Sequence, residues 1–137
     1  MRRLVALALL LPMLAACSDD PTATVNASHV GTYQLQTVDG EELPVQIDEE
    51  GGFLTISGGA ATLNANGTFS IAIAMSFTEG EETTSESFTL TGDWSSSGNT
   101  VNFDHADGGE EGFQTATISG DVLTTLGGGD EVIVFKK

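Results

Sequence analysis

Asn66-Gly67-Thr68-Phe69-Ser70-Ile71-Ala72-Ile73-Ala74-Met75-Ser76-Phe77 is the stretch on which the fold turns. Asn66-Gly67 supplies residues that tolerate positive φ and so starts a tight hairpin turn. Beyond it Phe69, Ile71, Ile73, Met75 and Phe77 recur with period two, against Ser70, Ala72, Ala74 and Ser76. Side chains of a strand alternate between its faces, so the large apolar residues share one face and the small ones the other. The pattern predicts a half-buried strand whose apolar face is the heart of a core.

Short β-rich runs repeat outward from this strand at intervals of roughly ten residues, separated by Gly, Asn and Asp, as in an all-β sandwich or barrel. Upstream, residues 31–38 place Tyr33 and Leu35 on one face and Gln34 and Gln36 on the other, and Asp39-Gly40 turns the chain. Residues 43–47 predict a second strand with Pro44 near its start, where a missing N–H is tolerated. Residues 53–57 predict a third, with Gly58-Gly59 turning into residues 61–64. Downstream, residues 83–95 put Phe88, Leu90 and Trp94 in one phase, with Gly92 at a bend. Gly98-Asn99 leads into Val101 and Phe103, and a polar loop over residues 104–111 precedes a strand at 113–118. Gly120-Asp121 then turns into residues 122–126, and residues 127–130 turn into 132–135. No window has a helical period. The expectation is an antiparallel up-and-down meander, and its closure into a β-barrel of about eight strands follows because closure removes the exposed edges of an open sheet.

The N-terminus carries a different signal. Met1-Arg2-Arg3 followed by an apolar run over residues 4–16 has the form of an export signal, and it is too short for a transmembrane helix of about 20 residues. It ends in Leu14-Ala15-Ala16-Cys17, which resembles the lipobox of bacterial lipoproteins. Cys17 is the sole cysteine, so it has no disulfide partner within the chain. The resemblance implies cleavage before Cys17, a diacylated or triacylated N-terminus and a membrane anchor in the bacterial cell envelope. Ser18 after the cysteine implies outer-membrane delivery in a Gram-negative host. Residues 1–16 thus read as signal peptide, 17–29 as lipidated cysteine and flexible tether, and 30–137 as one domain.

Once residues 1–16 are removed, Lys136 and Lys137 stand against 20 acidic residues, a formal charge of −18. Such a field repels nucleic acid and anionic headgroups and favours solubility. The domain is large enough to bury about two-thirds of its unfolded surface in a single core.

Four short motifs carry a further resemblance: Gly31-Thr32-Tyr33 opening the first strand, Asn66-Gly67-Thr68-Phe69, Gly92-Asp93-Trp94, and Gly98-Asn99-Thr100-Val101. Together they resemble the small lipocalin-like domains of bacterial lipoproteins, over nearly all of residues 30–137. Lipocalins of the classical kind carry Gly-x-Trp on the first strand and an arginine late in the chain; here Tyr33 takes the aromatic place and no arginine follows the signal. The resemblance implies a lipocalin-like β-barrel that binds a small apolar molecule.

Catalytic chemistry finds little support. His29 and His105 are the only histidines, His105 reads as a solvated residue of an acidic loop, and no G-x-S-x-G elbow accompanies the serines. No catalytic residue and no cofactor is assigned. Asp104, Asp107, Glu110 and Glu111 crowd one loop in the manner of oxygen ligands for calcium, yet their spacing departs from the calcium-loop template, so they are weak metal candidates. Two roles with different interiors remain. A ligand carrier would have a cavity lined by Tyr33, Leu35, Ile71, Ile73, Phe88, Leu90, Trp94 and Phe103. A non-enzymatic interaction or structural module of the envelope would fill the barrel with those side chains and act through its acidic loops.

Overall fold

The computed structural model describes residues 24–107 and 112–137. The expected signal peptide, Cys17 and the start of the expected tether lie outside the described residues. Ten strands follow in chain order: β1 (Gly31–Val38), β2 (Glu41–Glu42), β3 (Val45–Glu49), β4 (Gly52–Leu63), β5 (Thr68–Glu79), β6 (Glu82–Ser97), β7 (Thr100–His105), β8 (Thr115–Ser119), β9 (Val122–Leu126) and β10 (Val132–Lys136). Every pairing is antiparallel, in the order β2-β1-β10-β9-β8-β7-β6-β5-β4-β3. The pairing of β1 with β4, from Gly31 opposite Leu63 to Gln34 opposite Ala60, closes the sheet. The result is an eight-stranded up-and-down barrel of β1 and β4 to β10, consistent with a lipocalin-like fold. The rest of the described regular structure is a single 3-10 turn, Ala27–His29.

The seam explains two departures from the sequence expectation. Gly58-Gly59 is not a turn: β4 runs through it without reversal, with a register shift against β5 between Ile56 and Gly58. Below the shift β4 pairs with β3, at residues 52–56, and above it with β1, at residues 60–63. A bulge at this point bends the strand from one partner to the next. β1 has its own shift against β10 between Leu35 and Thr37, after which its other edge takes β2 at Thr37 and Val38. The two irregularities lie level with one another, where β1 and β4 part. The second departure is that the strand expected at residues 43–47 starts after Pro44, as β3 from Val45 to Glu49, with the short β2 before it at residues 41–42; Pro44 has no N–H to offer a ladder.

The turn at Asp39-Gly40 follows the expected chemistry, whereas at Asn66-Gly67 only Gly67 takes a positive φ, of 84°. Asp39 and Gly40 both have positive φ (50° and 82°), as a type I′ turn requires. Asp39 also fastens the turn to β10: its N–H donates to the Val132 carbonyl at 2.8 Å and its carboxylate accepts from the Val132 N–H at 2.7 Å. At Asn66-Gly67, the Asn66 side chain accepts from the Thr68 N–H at 3.1 Å.

The barrel has two unlike poles. Turns 64–67, 98–99 and 120–121 and the start of β1 form a closed pole, where Tyr33, Leu63, Phe69, Ile71, Val101, Leu123 and Phe135 are fully buried. The Tyr33 hydroxyl donates to the His29 carbonyl at 2.7 Å, and burial raises its pKa above the ordinary phenol value. The Trp94 indole N–H donates to the Asn64 carbonyl at 2.9 Å. Part of the expected tether is docked here: the Ser96 N–H donates to the Thr24 carbonyl at 2.7 Å, the Asn26 N–H to Ser96 Oγ at 3.1 Å, and Val25 packs against the core. Turns 39–40, 50–51 and 80–81 and the loops between β7 and β8 and between β9 and β10 form the opposite, open pole. Most acidic side chains crowd the open pole, whereas Lys136 and Lys137 lie at the closed one. Among the described residues, the core and every ladder belong to this one closed sheet.

A bulge and a turn respond differently to alanine. A Cβ at Gly58 would meet open space, whereas one at Gly59 would stand 2.6 Å from the Ala72 carbonyl oxygen and 2.9 Å from Ile73 Cδ1. Gly58→Ala is therefore expected to change the unfolding free energy by less than about 0.5 kcal/mol, and Gly59→Ala to lower it by about 2–4 kcal/mol. Urea unfolding of the two variants measures the contrast, and equal losses would count against the bulge.

Candidate functional site: an apolar cavity at the open pole

The side chains that fill the barrel thin out toward the open pole and leave a cavity of about 310 Å³, at the small end of the range for ligand pockets. Leu35 and Val38 of β1, Ile47 of β3, Leu54 and Ile56 of β4, Ile73 and Met75 of β5 and Phe88 of β6 wall one side. Their alternation follows from the ladder: Leu54 lies opposite Phe77, Ile56 opposite Met75 and Ile73 opposite Phe88, which stays partly exposed. Phe113, Gly127, Gly128, Gly129, Glu131 and Ile133 wall the other side.

This second wall is built from backbone as much as from side chains. Gly112, at φ 90°, lies so close to the Gly127-Gly128 backbone that a Cβ there would collide with it. The two loops therefore pack together through glycine. Phe113 follows with φ 50°, a left-handed conformation that costs a bulky residue on the order of 1–3 kcal/mol. Two hydrogen bonds hold it there: its N–H donates to the Leu126 carbonyl at 2.8 Å, and its carbonyl accepts from His105 Nε2 at 2.9 Å.

His105 thus differs from the solvated loop residue expected of it. It is the last residue of β7, 7% exposed, with its ring edge-on to Phe69 at 5.5 Å between centroids. A carbonyl can only accept, so the Nε2 atom carries the proton; Nδ1 has no hydrogen-bond partner among the described residues. The signal missed in the sequence was the phase of Val101, Phe103 and His105, which places all three inward.

Leu35, Ile73 and Phe88, of the eight residues expected to line a cavity, do line this one. Tyr33, Ile71, Leu90, Trp94 and Phe103 are buried in the core away from it. Trp94 stands at the closed pole. Sequence reading passed over Phe113, Glu131 and the glycines 127–129, which it took only as strand and turn. Of the weak metal candidates, Asp104 and Asp107 are exposed, and Glu110 and Glu111 lie outside the described residues. Among the described residues no three His, Cys, Asp or Glu side chains converge in a way that could hold a metal ion.

The tie between His105 and Phe113 can be tested by its removal. His105→Ala is expected to cost about 2–4 kcal/mol, because it leaves a cavity beside Phe69 and deprives a buried carbonyl of its donor. A solvated loop residue would change stability by less than about 0.5 kcal/mol in the same urea titration. No protein-family model matches this chain, and no curated protein matches it.

Proposed function

We propose that this protein is a lipid-anchored binding module of the bacterial envelope, whose lipocalin-like barrel takes a small apolar molecule into the cavity at its open pole. The observation that carries the reading is that cavity, walled by Leu, Ile, Val, Met and Phe side chains at one end of a barrel otherwise filled. The cavity is open to solvent and leaves Leu54, Ile56, Met75 and Phe88 partly exposed, apolar surface that a small apolar molecule would cover.

The anchor rests on the sequence of residues 1–17, with Cys17 as the lipid attachment site, and Ser18 directs the protein to the outer membrane in a Gram-negative host. The docking of Thr24 at the closed pole agrees with this arrangement. Residues 18–24 reach at most about 23–25 Å, so a lipid on Cys17 would hold the closed pole toward the bilayer and leave the cavity mouth facing away. The −18 charge argues against nucleic acid as a partner.

Native mass spectrometry of residues 18–137, produced in a bacterial host, tests the binding role. Added mass that survives native spray and disappears on denaturation is expected, and Leu54→Trp, which fills the cavity, should lose it. A bare mass from the unaltered domain would favour the other role, a barrel acting through its surface. The anchor has a separate readout. Cys17→Ser in the full-length chain is expected to leave the membrane pellet free of mature protein, while an unchanged pellet fraction would remove the lipid from the account.

A further inference from the structure

Glu131 is the sole ionisable residue among those lining the cavity, and it is half-buried there. The Gly129 N–H donates to Glu131 Oε2 at 3.0 Å. A Cβ at Gly127 would stand 2.7 Å from the same oxygen, and a Cβ at Gly129 would collide with Oε1. The carboxylate thus lies close against the backbone of residues 127 and 129. No cation satisfies it: among the described residues Glu131 has no ion pair, and Lys137 is engaged at the other pole with the Ser28 carbonyl, over the Tyr33 ring.

We propose that the cavity selects amphiphiles that carry a cationic head, with the apolar body among Leu54, Ile56, Met75 and Phe88 and the head against Glu131. The inference rests on the binding role proposed above and names the class of ligand. Two physical effects act in the same direction. A carboxylate beside an apolar wall is less screened than one in open water, so its attraction to an ammonium group is larger. The acidic surface around the mouth attracts cations and repels carboxylates at low salt. Fatty acids are thereby disfavoured although the cavity is apolar.

Isothermal titration of residues 18–137 with octylamine, octanol and octanoate, at equal temperature and two salt concentrations, separates the chain from the head. Octylamine is expected to bind about tenfold more tightly than octanol, and octanoate more weakly than either. In Glu131→Gln, whose side-chain oxygen can still accept from Gly129, the preference for octylamine over octanol should fall to within about twofold. Equal binding of all three, or tighter binding of octanoate, would overturn the cationic preference and leave the cavity standing. A preference that survives Glu131→Gln and vanishes with salt would assign it to the general surface field and overturn the role of Glu131. Absence of binding by all three would remove the binding role, and this proposal with it.

Discussion

The seam between β1 and β4 is the constraint from which the rest of the molecule follows. Only four residue pairs close the barrel, Gly31 to Gln34 against Leu63 to Ala60. Beyond them both strands shift register and diverge, so the barrel is tight at one pole and splayed at the other. The splayed part is not left with bare edges, because β2 takes over along β1 and β3 along β4. An eight-stranded barrel has an interior just wide enough for side chains, and this one fills that interior where the seam is closed and leaves space where it opens. The cavity is thus a consequence of strand pairing before it is a matter of side-chain size.

Opposite the seam, the wall at the open pole is maintained by contacts that reach into the core. Phe69 meets His105 edge-on, His105 holds the Phe113 carbonyl, and Phe113 faces the cavity. A strained residue persists only where its surroundings fix it, and here the surroundings include the most buried part of the barrel. The site therefore stands on the same packing that stabilises the fold.

Much of this architecture was legible in the sequence, for local reasons. The period-two runs around Phe69 and Tyr33, and the turns at Asp39-Gly40, Asn66-Gly67, Gly98-Asn99 and Gly120-Asp121, need only their own neighbours to be understood. Gly58-Gly59 shows the limit: two glycines between apolar residues are the same signal for a turn and for a bulge, and the choice was made by the distant pairing with β1. The cavity lining shows a second limit. Alternation says which face of a strand looks inward but not at what height along the barrel a residue lies. Trp94 and Phe88 share a face, yet one fills the closed pole while the other borders the cavity. Glu131 was hidden for the opposite reason, since glycines 127–129 look like an ordinary loop until their backbone is seen to wall the cavity beside it.

Charge is unevenly divided between the poles: both lysines lie at the closed pole, together with Asp93 and Asp121, and most of the other described carboxylates lie at the open one. Lysines 136 and 137 end the last strand beside the segment that leads back toward Cys17, while the carboxylates at residues 39–50, 79–82 and 130–131 crown the far end. Near any surface of negative potential, the field exerts a torque that turns the lysine end toward the surface and the carboxylate end outward. Composition alone would describe this protein as repelled by such a surface. Its distribution of charge gives it a preferred attitude there as well, with the long axis of the barrel upright.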